Sequence, residues 1–600
     1  MAEVFGACHI SHRKDNANPC PKSQTAKFTF NRTTRGCGPI EFRLASKCNM
    51  SALSYLHHPP TVPRQYVTIN DLIKKNAALV PNTEAFVYRP VHGPRQSITY
   101  ADLYDRARGV AQFLLASGVQ RQDRVGLFGP NTLSRVVAEF GILLSGAVVL
   151  QLNIEFKNAS DAVDILDKSD CHVLFTDPGI NDSLLPIVES LETADENVQQ
   201  RRKYIFLRES NSSKLVFTVI DDIPKQADVR TVLPEVYPED DALVFTTSGS
   251  TGKPKMAVHG HFSLTSALGA RKVNTCQRSI LYNDRPFCWI GGTVMMASLL
   301  GNTHIFTDST LGTTGRGIKK IWTILKEESV TYAFILPYCI RDLITEKDSI
   351  PDDGYRLERI TTSGQIIDNF FTQVVGRFCK KLIIGYGSSE AGGMAFSELN
   401  EGDVLETGRV GPPVPGVEVR IVDEDGCPVT TGQQGNIQVR STFLMKRYHA
   451  DTTMTDAVFT SDRPPWLKTG DVGLLTSSGD IIVRGRMTEN ISRGGRKILP
   501  NAVDDVLKKV VGINQVATVA VPDTRMYEEA CVCYVASDLT PKHVQSYCEN
   551  HYVDKDSLDG MGYMPKYFLR FDEFPFLHTG KTDKVKLKNE AARRLKLVEQ

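Results

Sequence analysis

The stretch ALVFTTSGSTGKPK, residues 242–255, joins an apolar segment to a loop rich in hydroxyl, glycine and lysine residues. The four apolar residues at its start predict a buried strand. The ten residues that follow include five hydroxyl side chains, two glycines and two lysines. Glycine lets backbone N–H groups turn toward an anion, and lysine adds positive charge for phosphate oxygens. The stretch therefore predicts a strand that ends in a phosphate-binding loop.

This loop differs from the Walker A loop of many nucleotide-binding proteins. A Walker A loop has four residues between its first glycine and a Gly-Lys pair, which Ser or Thr then follows. Here two residues separate Gly249 from Gly252, and Pro254 follows Lys253. Proline lacks a backbone donor and restrains the loop, so no helix is expected to begin at this point. A flexible surface loop is the alternative, but two lysines and a fixed proline argue against an idle linker.

Strands and helices alternate on both sides of the loop. Apolar periodicity predicts two series of strands with helices between them, which is typical of βαβ units around mostly parallel sheets. Proline- and glycine-rich sequence after residue 408 is followed by short alternating segments, which predict a small β subdomain. The predicted strands are 124–128, 147–152, 173–175, 332–336, 359–362, 381–384, 417–422 and 435–440, and the predicted helices include 133–144 and 159–168.

The fold class that follows is α/β. We expect a large N-terminal domain over residues 66–487, made of two α/β subdomains plus the small β subdomain. A small α+β C-terminal domain is expected over residues 488–600. Residues 1–65 are expected to be a leader, either a transit peptide or a disordered segment. The reason is that Glu41 is the only acid between Ala17 and Tyr66, where seven basic residues lie.

The composition bears on partners and on location. Lys and Arg number 70 and Asp and Glu number 69, so the net charge of +1 gives no field that attracts nucleic acid, and no nucleic-acid partner is expected. The longest apolar run, residues 141–152, is shorter than the roughly 20 residues that span a bilayer, so no integral membrane segment is expected. The 13 cysteines lack zinc spacing and favour a reducing compartment, mitochondrial or cytoplasmic. The sequence leaves the oligomeric state open.

Further motifs follow the loop along the chain, namely Gly385-Tyr386-Gly387-Ser388-Ser389-Glu390, Thr469-Gly470-Asp471, Gly485-Arg486 and Gly580-Lys581. A carboxylate just beyond a strand, like Glu390, lies where open α/β sheets bind ligands. With the loop, these motifs resemble those of the adenylate-forming superfamily, which includes acyl-CoA synthetases, peptide synthetase adenylation domains and beetle luciferase. The family signature reads T-S-G-[ST]-T-G-x-P-K-G, and this chain matches it except at Met256. The resemblance extends from about Val67 to Lys588.

The resemblance implies an ATP site to which each motif contributes. Tyr386 is implied to pack on adenine, and Asp471 to accept hydrogen bonds from the ribose hydroxyls. Glu390 is implied to hold Mg²⁺, which commonly uses one or two carboxylates plus substrate phosphates. The residues implied in ATP and AMP binding are Thr247, Ser248, Gly249, Ser250, Thr251, Gly252, Lys253, Pro254, Lys255, Gly364, Gly385, Tyr386, Gly387, Ser388, Ser389, Asp471 and Arg486. Those implied in catalysis are Lys581, Glu390, Thr251 and Lys255.

The resemblance also assigns the remaining parts of the site. Trp289 and Gly291 are implied to border the acid pocket, although core packing explains the aromatic side chain equally well. Thr488 is implied to be the hinge of a C-terminal domain that is mobile. The residues implied to line the path of CoA are Arg493, Gly494, Gly495 and Lys497.

The implied function is ATP-dependent ligation of CoA to a carboxylic acid through an acyl-adenylate, with AMP and pyrophosphate released. The sequence pattern most resembles that of medium-chain acyl-CoA synthetases. The expected partners are therefore a small carboxylic acid, ATP and CoA, with Mg²⁺. The alternatives are a ligase of aromatic, 4-coumarate-like acids, a carrier protein as thiol acceptor, a luciferase-like oxidoreductase and a non-catalytic nucleotide-binding relative. Departures from the family pattern at Met256, Thr488 and Ala502 keep the last alternative open.

Overall fold

The structure is a computed structural model that describes part of the chain. The described residues are 53–90, 92–152, 159–177, 203–208, 217–223, 232–247, 254–269, 279–295, 299–308, 317–486, 491–493, 496–498, 500–523, 527–552, 564–577 and 581–597. Most of the expected leader, the centre of the phosphate loop and the expected hinge at Thr488 lie outside these residues.

The strands include all nine that the apolar periodicity of the sequence predicted, together with others that it did not predict. In chain order they are β1 Tyr55–His58, β2 Glu84–Arg89, β3 Gln96–Thr99, β4 Arg124–Phe128, β5 Val148–Gln151, β6 Val173–Thr176, β7 Lys203–Phe206, β8 Phe217–Val219, β9 Asp241–Thr247, β10 Lys255–Gly260, β11 Ile280–Asn283, β12 Thr303–Thr307, β13 Tyr332–Phe334, β14 Arg359–Ser363, β15 Leu382–Ser388, β16 Gly392–Leu399, β17 Arg409–Gly411, β18 Val417–Val422, β19 Gly435–Ser441, β20 Arg447–Tyr448, β21 Leu467–Leu475, β22 Ile481–Arg486, β23 Ile491–Arg493, β24 Arg496–Ile498, β25 Ile513–Asp523, β26 Tyr527–Ala536 and β27 Tyr567–Arg570.

Several helices begin at a threonine whose hydroxyl accepts a hydrogen bond from a backbone N–H of the first turn, as at Thr68, Thr99 and Thr132. In chain order the α-helices are α1 Ile69–Leu79, α2 Tyr100–Ala116, α3 Leu133–Leu144, α4 Ala159–Lys168, α5 His261–Gly269, α6 Ile318–Glu327, α7 Pro337–Thr345, α8 Thr452–Val458, α9 Pro500–Leu507, α10 Pro541–Tyr552 and α11 Lys584–Arg594.

Within the described residues, two eight-stranded sheets carry the alternating pattern. Their strand orders are β20-β10-β9-β5-β4-β6-β7-β8 and β16-β15-β14-β13-β11-β12-β2-β3. Neighbouring strands are parallel except at β10, β20, β16 and β3, which run antiparallel to their neighbours. Buried residues of α1, α2 and α3 share one hydrophobic core with both sheets, including Phe86 of β2 and Leu127 of β4. The predicted pair of α/β subdomains is confirmed.

A third sheet is antiparallel throughout and forms the predicted small β subdomain. Its strand order is β1-β18-β19-β21-β22-β17. The edge strand β1 pairs with β18, with Tyr55 opposite Arg420. The expected leader boundary at residue 65 is therefore too late, because residues 55–58 already belong to a folded sheet. Four residues with two histidines carry too little apolar periodicity to predict such a strand.

The last sheet contains only residues that follow Met487. Its order is β24-β23-β26-β25, and β27 runs parallel to β26. Alternate residues of β26 face two separate cores, as in any strand covered on both sides. Val532 and Tyr534 pack with α9 and α10, whereas Cys531 and Cys533 pack with α11. This arrangement is the α+β build expected for the C-terminal part of the chain.

Candidate active site

The predicted phosphate loop connects two antiparallel strands, β9 and β10. Thr247 lies opposite Lys255 in the register, so the two residues flank the turn. The hydroxyl of Thr246 donates to the carbonyl oxygen of Gln151, which fixes the end of β9 to its neighbour β5. A strand follows Pro254 instead of a helix, as its missing donor predicted. The loop residues Ser248, Gly249, Ser250, Thr251, Gly252 and Lys253 lie outside the described residues.

A second hairpin, β15–β16, carries the motif that ends in Glu390. Gly385 pairs with Ser363 at the carboxyl end of β14, where open α/β sheets bind ligands. Gly387 must be glycine because a Cβ there would lie 2.3 Å from the carbonyl oxygen of Gly392. This close approach of the two strands sets the position of Glu390 just beyond β15.

The two hairpins contact each other beside Glu390. The Tyr448 hydroxyl donates to Glu390 Oε1 at 2.8 Å, and Lys255 Nζ lies 5.5 Å from the centre of the Tyr448 ring. His259 Nε2 contacts the Ser389 carbonyl oxygen at 2.7 Å, and since a carbonyl oxygen only accepts, Nε2 carries the proton. Burial lowers the pKa of His259 to about 4, so the ring is neutral. The structure thus brings Lys255 and Glu390, which lie in different motifs, to the same tyrosine.

Asp471 connects the second hairpin to the antiparallel sheet. Its Oδ2 accepts a hydrogen bond from the Tyr386 hydroxyl at 2.6 Å, and its Oδ1 lies 2.8 Å from Arg486 Nε. Asp471 and Arg486 are cross-strand partners on β21 and β22. Burial, with the Asp471 carboxylate nearby, raises the pKa of Tyr386 well above its usual value, so the phenol stays protonated and donates. Tyr386, Asp471 and Arg486 therefore form one cluster.

A cavity of about 620 Å³ lies next to these groups. Lys581 lines it together with residues of the two α/β subdomains. The backbone of Lys581 is held by one hydrogen bond, because its carbonyl oxygen accepts from the N–H of Leu577 at 2.8 Å. The other predicted site residues in the cavity wall are Trp289, Gly291, Gly364, Gly385, Tyr386, Gly387, Ser388 and Ser389. Glu390 follows the wall residue Ser389 in the sequence, and Asp471 accepts a hydrogen bond from the wall residue Tyr386.

The floor of the cavity is one face of the second sheet. Alternate residues of β14, namely Arg359, Thr361 and Ser363, line the cavity from one end of the strand to the other. Residues of the neighbouring strands β11, β13 and β15 continue this floor, and α5 contributes side chains to the wall. The additional floor and wall residues are Leu281, Tyr332, Phe334, Ile383, Ser263, Leu264 and Ala267.

Arg285, a neighbour of Trp289 and Gly291 in the predicted acid segment, is a buried cation in the cavity wall. Its guanidinium lies 3.6 Å from the centre of the Phe334 ring and 3.4 Å from the Asp284 carboxylate. Burial raises the pKa of Asp284 and lowers that of Arg285. Motif reasoning did not identify the ion pair of Asp284 and Arg285. Tyr448 and His259 were likewise missed, because they act through contacts between distant segments.

The segment predicted to line the path of CoA is described only in part. β23 and β24 form a hairpin in which Arg493 pairs with Arg496 and Ser492 with Lys497. Gly494 and Gly495, which lie between these two strands in the sequence, are outside the described residues, as is Thr488. On the other side of the expected hinge, Asn501 Nδ2 donates to the carbonyl oxygen of Arg484 at 3.2 Å. This contact joins the C-terminal sheet region to β22.

The residues present fit a magnesium ion. Among the described residues, no group of three or more His, Cys, Asp or Glu side chains gathers into a metal site. Mg²⁺ does not need such a group, because one carboxylate plus substrate phosphates commonly holds it. Glu390 meets this requirement, since Tyr448 occupies only one of about four lone-pair sites of the carboxylate.

No described helix has both the length and the hydrophobicity that crossing a bilayer requires.

A loop of phosphate-binding composition between β9 and β10, a carboxylate just beyond β15 and a C-terminal lysine in the cavity wall are together typical of an adenylate-forming enzyme. Comparison with known proteins agrees, because the AMP-binding enzyme family matches residues 73–449. The chain belongs to this family of AMP-binding enzymes.

Curated relatives match over nearly the whole chain. The mitochondrial medium-chain acyl-CoA ligase ACSF2 of Danio rerio is 27% identical and covers 91% of each chain. A long-chain-fatty-acid–CoA ligase of Escherichia coli O157:H7 is 25% identical over 88% of this chain and 95% of its own. The predicted ATP-dependent acid:CoA ligase, which forms AMP through an acyl-adenylate, is confirmed at the level of reaction class.

Solved structures share the fold. An anthranilate CoA ligase in complex with anthranoyl-AMP superposes with a TM-score of 0.74 at 20% identity, covering 90% of this chain and 99% of that one. A fatty acyl CoA synthetase of Mycobacterium tuberculosis superposes with a TM-score of 0.66 at 21% identity, over 88% of this chain and 99% of that one. At this identity the likeness supports the predicted fold class alone.

Proposed function

We propose that this acid:CoA ligase activates a medium-chain carboxylic acid, with Lys581 as the group that stabilises the adenylation transition state. The observation that carries the proposal is the position of Lys581, which lines the same cavity as Tyr386 and Gly364. A lysine from the C-terminal part of the chain thus lines the same cavity as residues of the other motifs. The names of the relatives, which include medium-chain and long-chain acyl-CoA ligases, support the same substrate class.

The length of the cavity floor supports a medium-chain acid. β14 rises about 3.3 Å per residue, so its cavity face from Arg359 to Ser363 spans roughly 13 Å. An extended chain with C–C bonds of about 1.5 Å covers this distance with about ten carbons. The acid carboxylate is assigned to the Ser363 end, beside Gly364 and Gly385, and the acyl chain to the floor. Trp289 and Gly291 border the carboxylate end.

The first half-reaction joins the acid to AMP. A carboxylate oxygen attacks the α-phosphorus of ATP, and the bond from that phosphorus to the bridging oxygen breaks as pyrophosphate leaves. The positive charges of Lys581, Lys253 and Lys255 and the N–H groups of the loop from Thr247 to Pro254 offset the charge that develops on phosphorus. Glu390 would hold Mg²⁺, which would supply positive charge to neutralise the phosphate oxygens. Asp471 and Arg486 position the ribose, and Tyr386 packs on adenine.

The second half-reaction replaces AMP by CoA. The CoA thiol loses its proton as its sulfur attacks the acyl carbon, and AMP leaves with the carboxylate oxygen. For this step we propose that the C-terminal domain, residues 488–600, rotates about Thr488. Lys581 then moves away and the hairpin with Gly494 and Gly495 lines the thiol path. The side chains of Arg493 and Lys497 carry the charge that suits CoA phosphates.

The exchange of radioactive pyrophosphate into ATP without CoA tests the role of Lys581. Lys581→Ala should lower the exchange rate by at least about 10²-fold, because it removes charge stabilisation from the transition state. The same variant should still convert a supplied acyl-adenylate and CoA to acyl-CoA. The matched control is Lys586→Ala, since Lys586 is 67% exposed and 3.9 Å from Asp583.

Two outcomes of this experiment contradict the proposal. If exchange survives in Lys581→Ala at the rate of the Lys586→Ala control, the role of Lys581 is wrong. If a panel of straight-chain, branched and aromatic acids supports exchange only with aromatic acids, the medium-chain assignment is wrong. Omission of Mg²⁺ in the same assay should stop exchange, and Glu390→Gln should raise the Mg²⁺ concentration needed for half-maximal rate.

We further propose a mitochondrial role in lipid metabolism. Residues 17–66 contain a single acid among seven basic residues, a composition typical of transit peptides, and the ACSF2 relatives are named as mitochondrial. Fusion of residues 1–65 to a fluorescent protein tests the first point. Fluorescence spread through the cytoplasm would contradict it.

A further inference from the structure

The far end of the acid cavity carries a cation. Arg359 is the first residue of β14 and lines the cavity about 13 Å from Ser363, at the end of the floor opposite the proposed carboxylate site. Burial lowers the pKa of its guanidinium, which stays charged because arginine does not deprotonate in proteins. A purely hydrocarbon acyl chain offers no partner for this partly buried charge.

The contacts of Arg359 hold it in place without neutralising it. Its guanidinium carbon lies 4.2 Å from the centre of the Tyr332 ring, which also lines the cavity. Among the described residues, no carboxylate lies within ion-pair distance of Arg359. The carboxylate of Glu398, which also lines the cavity, acts on Arg359 electrostatically, and Glu398 is itself ion-paired with Lys381. The guanidinium of Arg359 therefore has five N–H donors that can bind a ligand at this end of the cavity.

The floor between the two ends is also more polar than a hydrocarbon chain requires. Thr361 lies midway along β14 on the cavity side, and Tyr332 lies beside Arg359. On the wall, His304 and Thr293 are buried, and their ring nitrogens and hydroxyl have no hydrogen-bond partner among the described residues. Buried polar groups without partners usually mark a place where a ligand or a water supplies the missing hydrogen bonds.

We infer that the acid activated at this site carries a second anionic group at its far end, as a medium-chain dicarboxylic acid does. This inference rests on the proposed function and narrows its substrate class. One carboxylate is adenylated at the Ser363 end, while the distal carboxylate accepts two hydrogen bonds from the Arg359 fork. Planar, bidentate pairing with a carboxylate is the geometry for which arginine is best suited.

Kinetics with two acids of equal length test the inference on the full chain. Decanoate and decanedioate are compared as substrates for acyl-CoA formation, and the ratio of their kcat/KM values is the readout. Arg359→Met keeps the length of the side chain and removes its charge, so the ratio of decanedioate to decanoate should fall about tenfold or more. Arg359→Lys should give an intermediate ratio, since a point charge replaces the fork.

Arg341→Met is the matched control. Arg341 is also stacked on an aromatic ring, 4.7 Å from the centre of Phe370, but it is not in the cavity wall. Its substitution should leave the ratio of kcat/KM values as in the unaltered chain. Thermal unfolding of each variant confirms that it is folded at the assay temperature.

The outcomes separate this inference from the function it rests on. Turnover of decanoate with none of decanedioate, or an unchanged ratio in Arg359→Met, overturns the distal-carboxylate assignment and leaves the acid:CoA ligase intact. If neither acid is turned over but the enzyme exchanges pyrophosphate with a different class of acid, the medium-chain function and this inference are both overturned. A ratio that falls in Arg359→Met and is unchanged in Arg341→Met supports it.

Discussion

Single residues show where motif reasoning stops. The motifs identified Glu390 and Asp471, but neither hydrogen-bond partner could be read from them. Tyr448 lies 58 residues from Glu390 in sequence, and Tyr386 lies 85 residues from Asp471. Tyr448 belongs to a two-residue strand with no apolar periodicity. Such partners are fixed by how the sheets pack, and local composition carries no trace of that packing.

His304 makes a testable contribution to the pH dependence of stability. The ring lies among Phe86, Phe287 and Phe306, with centroid distances of 5.3, 5.7 and 6.1 Å. Burial lowers the pKa of His304 to about 3, whereas an unfolded histidine has a pKa of about 6.5. The unfolded chain therefore binds more protons between these values. The stability that the neutral ring allows is complete above about pH 6.5 and falls as the pH drops toward 3.

His304→Phe should remove this dependence. Between about pH 7.5 and about pH 5, the unaltered chain should lose about 2 kcal/mol more of its free energy of unfolding than the variant does. Urea unfolding of both chains at the two pH values measures the difference. Any change in packing caused by the substitution affects both pH values equally and cancels. Equal losses in the two chains would mean that His304 is accessible to protons in the folded state.

At the scale of elements, the sequence predicted strands with continuous apolar runs, but it missed short strands and also β2, β16 and β21, which have six to nine residues. β4, β5 and α3 were predicted from their apolar patterns because their burial is continuous. β1 and β20 were missed, since two to four residues are too few to show a period of two. The hairpin that carries the phosphate loop was predicted only in part. The strand β9 and the absence of a helix after Pro254 followed from the sequence, whereas the pairing of β10 with β20 did not.

Met256, the departure from the family signature, is explained by β10. Its side chain is 6% exposed and packs with Val148, Leu150 and Val258 in a core cluster on one face of the first sheet. Met256→Gly, which restores the family residue, should lower the free energy of unfolding by about 3–5 kcal/mol through the cavity and the added backbone freedom. Urea unfolding measures this loss.

Met256→Leu is the matched control, because it conserves volume and should cost less than about 1.5 kcal/mol. The KM for ATP should be unchanged in both variants, since the side chain points into the core and not toward the loop. A higher KM for ATP in Met256→Gly, with stability unchanged, would place Met256 in the nucleotide site instead.

At the scale of the whole molecule, the residues of the active site come from sheets that separate parts of the chain form. Tyr386 comes from the second sheet, Asp471 from the antiparallel sheet and Lys581 from the C-terminal region. The order of motifs along the chain predicted that these groups converge, but no single sheet determines their distances. Contacts between sheets therefore control both stability and the site.

The segment before residue 66 takes part in this assembly. β1 extends the antiparallel sheet, Ser54 exchanges backbone hydrogen bonds of 2.8 and 2.9 Å with Val429 and Ile421, and His58 lines the cavity. Arg64 lies 5.0 Å from the centre of the Phe443 ring, which also lines the cavity. A chain shortened to begin at Tyr66, as the sequence suggested, thus exposes the edge of β18 and removes part of the cavity wall.

Two shortened chains test this role. A chain that begins at Leu53 should keep the stability and the pyrophosphate exchange of the full chain. A chain that begins at Tyr66 should lose roughly 3–6 kcal/mol of unfolding free energy through the lost hydrogen bonds and apolar burial, and its open strand edge should favour aggregation. Urea unfolding and light scattering measure the two effects. Equal stability of the two chains would show that β1 is dispensable and that the boundary at residue 65 is the functional one.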